Sequence, residues 1–209
     1  MDSHRLIKSE GASLNERILK EEHQLYYVGR NVDFQSTYKV FNRDLEWKDP
    51  TTSVAKFSEI VKCLDITGDE SFLDCGCGLG HVLYLASKIF DKVYGVEIVE
   101  EAVKQCLKNL SILLPNNKIK VFHNDIFKLD ESIIDSIDVF YVSNPFDKRS
   151  DFVRLRNLVE ESIGRYDRNV HFIYYYPVFE KEMFESDIFS TLQILSSNNG
   201  NVNIYRHEK

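Results

Sequence analysis

The fold of this chain is decided by the stretch Ser71–Ala86, which has the sequence SFLDCGCGLGHVLYLA. It predicts a short apolar strand, a glycine-rich turn and a helix with an apolar stripe. Glycine permits left-handed backbone angles and the close approach of a ligand. The start of a helix carries backbone N–H groups that can bind a polar or anionic group. The stretch therefore predicts a ligand site at the turn, with backbone N–H groups exposed to the ligand.

The spacing of the glycines distinguishes between classes of ligand. A dinucleotide-binding fingerprint has the pattern G-x-G-x-x-G, and here its third glycine would fall on His81. The pattern present is D-x-G-x-G-x-G, from Asp74 to Gly80, and the acidic residue Glu97 ends the next apolar run. An acid about 20 positions after a glycine turn can bind both hydroxyls of a ribose. A nicotinamide-dependent oxidoreductase is therefore disfavoured.

Together these features resemble the motifs of class I S-adenosylmethionine-dependent methyltransferases, and among them the small bacterial stand-alone type. The resemblance covers roughly residues 50–205. It implies a Rossmann-like, doubly wound α/β sheet of seven strands and an enzyme that moves a methyl group by in-line displacement. S-adenosylmethionine is the implied cofactor and S-adenosylhomocysteine the product. A methyltransferase-like binding module without catalytic turnover stays open as an alternative.

The remainder of the chain alternates between strand and helix patterns. Alternation predicts a parallel sheet with helices on both faces, and a final hairpin over residues 191–205 adds antiparallel strands. The predicted helices cover residues 54–64, 82–90, 99–114, 150–166 and 179–189. The predicted strands end at or near Leu73, Ile98, Phe122, Val142 and Tyr176.

Residues 1–50 differ from this pattern and form a separate predicted unit. Leu14–Tyr27 has apolar residues near helical spacing, and the aromatic residues after it are too numerous for a free linker. We predict a helical and aromatic extension over residues 1–50 that acts as a substrate lid, and a methyltransferase domain over residues 51–209. A purely structural extension that covers the edge of the sheet is the alternative.

Composition limits the location and the partners. The chain has 209 residues, 43% hydrophobic and 28% charged, which is ordinary for a soluble globular protein. It has neither an apolar run of about 20 residues nor a signal-peptide core in its polar first residues, so we expect a cytoplasmic protein without a membrane partner. The net charge of −7 disfavours tight binding to nucleic acid, which depends on Lys and Arg. A small molecule or a protein is the expected substrate, and the oligomeric state is not predicted.

The cysteines predict neither a metal site nor a redox motif. Cys63, Cys75, Cys77 and Cys106 form no C-x-x-C pair and no zinc-ligand spacing with histidine. We therefore expect four reduced thiols, most of them buried, and no metal.

Polar and glycine residues follow four separate apolar strands. Ligands of doubly wound sheets bind beyond the carboxyl ends of the strands, so these residues converge on one site. The predicted cofactor-binding residues are Asp74, Cys75, Gly76, Gly78, Gly80, Glu97, Ile98, Asp125, Ile126 and Asn144.

The structure of S-adenosylmethionine suggests a role for several of these residues. Glu97 offers two acceptor oxygens to the ribose hydroxyls, and Asp125 can accept a hydrogen bond from the adenine amine. Ile126 can pack on the adenine ring. The glycine turn allows the backbone to approach the methionine portion and the ribose, and Asp74 orients the turn or contacts the methionine ammonium group.

The predicted catalytic residues are Asn144, Pro145 and Phe146, at the end of the fourth strand. The carboxamide oxygen and nearby carbonyls can accept hydrogens from an amine, and the phenyl ring can pack on a planar or cationic target. The segment resembles the Asn/Asp-Pro-Pro-Tyr/Phe signature of amino methyltransferases, with one proline missing. With Gly95-Val96-Glu97 it also resembles histone lysine methyltransferases that carry Asn-Asn-Phe. Transfer to nitrogen is favoured over oxygen, and a simple strand-ending turn stays open.

Three histidines and a run of tyrosines complete the candidates. His81, His123 and His171 lie near predicted strand ends or helix starts, and any of them could act as a general base. The tyrosines at 174–176 end the fifth strand, where alternate side chains point to opposite faces of the sheet.

Overall fold

A computed structural model of the chain describes residues 52–114, 119–196 and 201–209. Within these ranges, seven strands form one sheet. They are β1 (Ser71–Cys75), β2 (Lys92–Glu97), β3 (Lys120–His123), β4 (Val139–Val142), β5 (Val170–Tyr175), β6 (Ser190–Leu195) and β7 (Val202–His207). The spatial order is β3-β2-β1-β4-β5-β7-β6. The first five strands are parallel, and β7 is antiparallel to β5 and β6. The predicted fold class is confirmed.

Helices connect the strands and cover both faces of the sheet. In the described ranges they are α1 (Val54–Lys62), α2 (His81–Ala86), α3 (Glu100–Leu113), α4 (Glu131–Ile134), α5 (Arg149–Arg165) and α6 (Glu180–Phe184), with a 3₁₀ turn over Ile126–Lys128. Across these described segments, every helix is too short or too polar to pass through a lipid bilayer. The predicted extension over residues 1–50 and its helix over 14–27 lie outside the described residues.

Several predicted helix bounds are wrong. The helix predicted over 82–90 ends at Ala86, where the Ser87 hydroxyl donates to the carbonyl of Tyr84 (2.7 Å) and offers the backbone an alternative bond. The helix predicted over 179–189 has only five residues. The sequence analysis also missed α4, a single turn capped by Asp130, because one turn is too short to have a helical period.

Two apolar layers hold the helices to the sheet. On one face, α1 and α2 pack against side chains of the central strands, with Phe57 edge-on to Phe72 (6.2 Å between centroids), and α3 packs against β2 and β3. On the other face, α5 packs on the alternate side chains of the central strands, with Phe152 edge-on to Phe172 (6.1 Å). Because β1, β4 and β5 are buried on both faces, they have nearly continuous apolar sequences.

The order of the strands fixes where a ligand can bind. From β1 the chain proceeds outward to β2 and β3, and it then returns to place β4 on the other side of β1. The connections that follow β1 and β4 therefore leave the sheet in opposite directions, which opens a crevice at the carboxyl ends of these two strands. The predicted site residues lie at this edge.

Candidate functional site

The glycine turn after β1 adopts a conformation that other residues would strain. Gly76, Gly78 and Gly80 have φ angles of 90°, 49° and 86°. A Cβ atom at Gly76 would lie 2.8 Å from Cβ of Pro145, and one at Gly80 would lie 2.6 Å from Sγ of Cys106. The turn therefore packs tightly between Asn144-Pro145, the Asn-Pro segment after β4, and helix α3.

Four backbone N–H groups of this turn donate hydrogen bonds within the protein. Gly76 and Cys77 both donate to the Val96 carbonyl (2.9 and 3.0 Å). Gly78 donates to Oε2 of Glu97 (3.1 Å), and Gly80 donates to the Cys77 carbonyl (2.9 Å). The exposed N–H groups predicted from the sequence are therefore not found at these four positions. The reason is that the turn leaves β1 alongside β2, so three of the donors bond to the end of that strand and the fourth closes the turn on itself.

Glu97, the last residue of β2, is buried and holds three backbone N–H groups. Oε1 accepts from Ile98 and Val99 (2.9 Å each), and Oε2 accepts from Gly78 (3.1 Å). A carboxylate offers about four acceptor positions. In this conformation Glu97 thus has one position left for a ligand hydroxyl, whereas the sequence analysis assigned both oxygens to a ribose diol.

The segment after β3 is tied to the end of β2. The Asn124 N–H donates to the carbonyl of the last residue of β2 (3.0 Å). Asp125 is half-buried, and its carboxylate caps the 3₁₀ turn by accepting from the Phe127 N–H (3.0 Å). Ile126 is buried in the core, whereas Ile98 is 48% exposed. Ile98 therefore presents apolar surface at this edge, and the predicted contact of Ile126 with a ring is restricted by its burial.

The two residues that end β1 are buried. Asp74 is 2% exposed and Cys75 is 1% exposed, so Cys75 faces the core and its side chain lies away from the edge. Burial raises the pKa of the Cys75 thiol, and a hydrogen bond to Cys106 together with burial raises the pKa of the Cys77 thiol. All four cysteines are free thiols, as predicted.

Asn144 links the ends of β4 and β5. Its carboxamide oxygen accepts from the Tyr174 hydroxyl (2.9 Å), and its carboxamide nitrogen donates to the Tyr176 carbonyl. Asn144 has a φ of 45° and Tyr176 a φ of 51°. These are the two non-glycine residues with positive φ among the described residues, and they are bonded to each other.

An aromatic pair bridges the segments that follow β3 and β4. The rings of Phe127 and Phe146 are stacked, with centroids 5.5 Å apart and planes 16° apart. The Arg154 guanidinium lies 4.1 Å from the centroid of Phe127. Phe146, which the sequence analysis assigned to substrate packing, is thus held against Phe127 in this structure.

The three histidines lie in different environments. Burial lowers the pKa of His81, at the start of α2, to about 4, so its imidazole is neutral at physiological pH. His171 lies near the amino end of β5, where its backbone N–H donates to the Asp138 carbonyl (2.8 Å), at the opposite edge from the predicted site. His123 ends β3 and is exposed.

These contacts form a continuous chain along the carboxyl edge of the sheet, from β3 through β2, β1 and β4 to β5. The sequence analysis found the members of the first four segments, because polar residues after apolar runs mark strand ends. It missed the parts played by Tyr174, Tyr176 and Phe127. The tyrosines were noted as a run, but no sequence pattern indicates a left-handed tyrosine or a bond between residues about 30 positions apart.

Comparisons with known proteins bear on the family to which the chain belongs. A family described as "Methyltransferase domain" matches residues 66–204, well over half of the chain. An uncharacterized RNA methyltransferase of Listeria monocytogenes is 28% identical over 64 residues, which are 31% of this chain and 14% of that protein. A protein-lysine N-methyltransferase of Saccharolobus islandicus is 28% identical over 97 residues, 46% of this chain and 58% of that protein. The chain thus spans less than two thirds of the length of either relative.

The fold is also similar to that of solved structures. The magnesium protoporphyrin IX methyltransferase of Synechocystis PCC 6803, crystallised with bound S-adenosylmethionine, superposes with a TM-score of 0.59 at 14% identity. The superposition covers 96% of this chain and 100% of that chain. At this level of identity the likeness concerns the fold.

Proposed function

The chain belongs to the methyltransferase-domain family, and from that premise we propose that it transfers a methyl group to a nitrogen atom held at Asn144-Pro145-Phe146. The enzyme class and the cofactor predicted from the glycine turn agree with this family, and S-adenosylmethionine is the cofactor we propose. The choice of nitrogen, the acceptor residues and the cofactor-binding residues are also part of the proposal.

The observation that carries the proposal is the contact between two turns. Gly76 lies so close to Pro145 that a single added carbon would be 2.8 Å from the Cβ of that proline. The cofactor turn after β1 and the segment after β4 are therefore neighbours without intervening space. A group that is held by one turn is within reach of a group that is held by the other, which is the proximity that methyl transfer needs.

The residues at the edge of β1–β3 fit S-adenosylmethionine. At Gly76 and Gly80 an added Cβ would collide with Pro145 and Cys106, so only glycine allows the turn to follow this path at the edge of the sheet. Glu97 is a buried carboxylate with one acceptor position left for a ribose hydroxyl, and the exposed Ile98 side chain next to it offers apolar surface for the adenine ring. Asp125 is half-buried and follows β3, the strand next to β2. When bound, S-adenosylmethionine supplies an electrophilic methyl group on a sulfonium.

Asn144 is suited to orient an amine. One lone pair of its carboxamide oxygen is used by Tyr174 and one N–H by the Tyr176 carbonyl. A carboxamide has two lone pairs and two N–H groups, so one acceptor position remains for an N–H of the substrate. An acceptor placed there has its nitrogen lone pair directed away from the Asn144 oxygen. Such orientation, with water excluded, supplies much of what a displacement reaction requires.

The relatives bear on the class of acceptor. The L. monocytogenes relative is named an RNA methyltransferase and the S. islandicus relative a protein-lysine N-methyltransferase. The expectation that nucleic acid is an unlikely partner is not supported by these relatives. We propose a nitrogen of RNA or of a protein side chain as the acceptor, and the protein-lysine alternative agrees with the second relative.

The test measures cofactor binding and methyl transfer separately. Calorimetric titration with S-adenosylhomocysteine, with NAD as the control ligand, measures binding. Methyl transfer from labelled S-adenosylmethionine to total bacterial RNA and to total protein, followed by digestion, identifies the methylated atom. We expect N-methyl products, and we expect Asn144→Ala to lower the transfer rate by about 100-fold while the dissociation constant for S-adenosylhomocysteine changes little.

The matched control is Asn169→Ala, because Asn169 also uses its carboxamide oxygen, on the Lys209 N–H (2.9 Å), but lies before the amino end of β5. Its transfer rate should equal that of the wild type. O-methyl products would rule out the choice of nitrogen, and an unchanged rate in Asn144→Ala would rule out the assigned acceptor site.

A further inference from the structure

Asn144, Tyr174 and the Tyr176 carbonyl form a hydrogen-bonded group at the ends of β4 and β5. Of these residues, only Asn144 has a role in the function proposed above. We infer that Tyr174 is a positioning residue that fixes the orientation of the Asn144 carboxamide toward the methyl acceptor. The inference rests on the proposed role of Asn144 as the acceptor-binding residue. Tyr174 acts through Asn144 by means of its hydroxyl group, which lies 2.9 Å from the carboxamide oxygen.

The direction of each hydrogen bond in this group is determined by chemistry. The Phe179 N–H donates to the Tyr174 oxygen (3.1 Å), because a backbone N–H can only donate. The Tyr174 hydroxyl proton is then directed to the carboxamide oxygen of Asn144 (2.9 Å). The Tyr176 carbonyl can only accept, so it must face the NH₂ group of Asn144. The carboxamide therefore has one favoured orientation, and a 180° flip would lose both bonds.

The backbone on both sides of this group is held in a sparsely populated conformation. Asn144 and Tyr176 both have left-handed φ angles, which are costly for a residue as bulky as tyrosine. Tyr176 is held in place by its N–H, which donates to the Asn201 carbonyl at the start of β7 (2.8 Å). Strain of this kind persists where the surrounding contacts impose it, and it is concentrated at functional sites.

Tyr174 is itself rigidly held. Its side chain is buried, and its ring stacks on Phe152 of α5 with centroids 4.6 Å apart and planes 20° apart. Burial raises the pKa of Tyr174 to about 12. The hydroxyl therefore stays protonated, and keeps donating to Asn144, throughout the pH range in which the enzyme would be assayed.

Tyr174→Phe removes the hydroxyl and keeps the ring, so the stacking on Phe152 is preserved. The matched control is Tyr205→Phe, since Tyr205 is also a buried phenol that accepts from an asparagine carboxamide, that of Asn203 (3.0 Å), away from the acceptor site. Both variants lose one buried hydroxyl. A merely structural role for Tyr174 would make the two variants behave alike in every measurement.

The first measurement is nuclear magnetic resonance of the full chain labelled with ¹⁵N, which requires no methyl acceptor. The side-chain amide signals of Asn144 are assigned by their loss in Asn144→Ala. We expect Tyr174→Phe to shift these signals strongly and Tyr205→Phe to leave them in place. In the wild type, we also expect a slowly exchanging Tyr174 hydroxyl proton with a cross-peak to the Asn144 side chain, a result that does not depend on whether either tyrosine variant folds.

The second measurement is methyl transfer to whichever of total RNA or total protein accepts label. We expect kcat of Tyr174→Phe to fall at least about tenfold, because the acceptor is misaligned, with the dissociation constant for S-adenosylhomocysteine unchanged. Tyr205→Phe should keep the wild-type kcat. Unchanged Asn144 signals in Tyr174→Phe, no cross-peak in the wild type, or equal kcat values for the two variants would each overturn the inference. Failure of the proposed function differs: in that case Asn144→Ala itself transfers methyl groups normally.

Discussion

The two halves of the site are built in different ways. The half at the ends of β1, β2 and β3 depends on backbone donors, glycines and one buried carboxylate, Glu97. The half at the ends of β4 and β5 depends on side-chain bonds between Asn144, Tyr174 and the Tyr176 carbonyl, on a backbone that is left-handed at non-glycine residues. The first construction depends mostly on the path of the backbone, whereas the second depends on side chains that a single substitution can remove.

The largest effect that this comparison predicts is for Glu97→Ala. The change leaves the buried N–H group of Gly78 and the part-buried N–H groups of Ile98 and Val99 without their carboxylate acceptor. Each unsatisfied buried donor costs about 1–3 kcal/mol. We expect the free energy of unfolding to fall by about 3 kcal/mol or more, and binding of S-adenosylhomocysteine to be lost. Urea denaturation and calorimetry measure the two effects.

Glu100→Ala provides the control for this prediction. Glu100 is also a glutamate, three residues further on, but it is exposed and pairs with Lys104 within α3 (2.6 Å). Its replacement should leave stability and ligand binding near the wild-type values. If Glu97→Ala were as stable as Glu100→Ala, the carboxylate would not organise the turn, and the contrast between the two halves would disappear.

The second effect concerns the contact between the halves. Gly76→Ala places a methyl group 2.8 Å from Cβ of Pro145 and forces a left-handed φ of 90° on an alanine. We expect the free energy of unfolding to fall by about 2–3 kcal/mol from strain and displacement of the neighbouring turn.

The matched glycine is Gly164, in helix α5, where an added Cβ meets nothing within 4 Å. Gly164→Ala should raise the free energy of unfolding by up to about 0.5–1 kcal/mol, because alanine has a higher helix propensity than glycine and Gly164 lies in the last turn of the helix. Thermal denaturation of both variants tests the pair. If Gly76→Ala and Gly164→Ala had equal effects on the free energy of unfolding, Pro145 would have moved to admit the new methyl group. The glycine turn and the Asn-Pro segment would then not be tightly packed.

The same contrast explains what the sequence could predict. The β1–β3 half is encoded locally, since an apolar run, glycines at fixed spacing and an acid about 20 residues later are visible in one short stretch. These features predicted the fold class, the cofactor and the positions of Gly76, Gly80 and Glu97 at one edge. They did not predict the hydrogen bonds that the Glu97 carboxylate accepts, because the three backbone donors lie within reach of it only after the turn has folded.

The β4–β5 half could be predicted only in part. The position of Asn144 after a buried strand was visible, but its partner Tyr174 is 30 residues away in the sequence. Short elements such as α4 were missed for a related reason, since a single turn has no period. Pairings across adjacent parallel strands depend on register, and register is a property of the assembled sheet.

The smallest effect is a pH dependence of the free energy of unfolding that comes from His81, the first residue of α2 after the glycine turn. Burial lowers the pKa of His81 to about 4 in the folded chain, whereas an exposed histidine has a pKa of about 6.5. Between these values the unfolded state binds more protons than the folded state. The contribution of His81 to stability is therefore fully present above about pH 6.5 and is lost as the pH falls toward about 4.

We expect His81 to account for a loss on the order of 2 kcal/mol in the free energy of unfolding between pH 7 and pH 4.5. Urea denaturation of His81→Gln at the two pH values should give a correspondingly smaller loss, and His123→Gln, at an exposed position on β3, should match the wild type. If the wild type, His81→Gln and His123→Gln lost the same free energy of unfolding, the His81 imidazole would be as well solvated in the folded chain as in the unfolded one. In that case water would reach His81 at the start of α2, although the hydrogen bonds of the glycine turn next to it indicate a tightly packed region. The half at the ends of β4 and β5, where burial raises the pKa of Tyr174 to about 12, should keep its geometry over the same pH range, so acid is expected to weaken the two halves unequally.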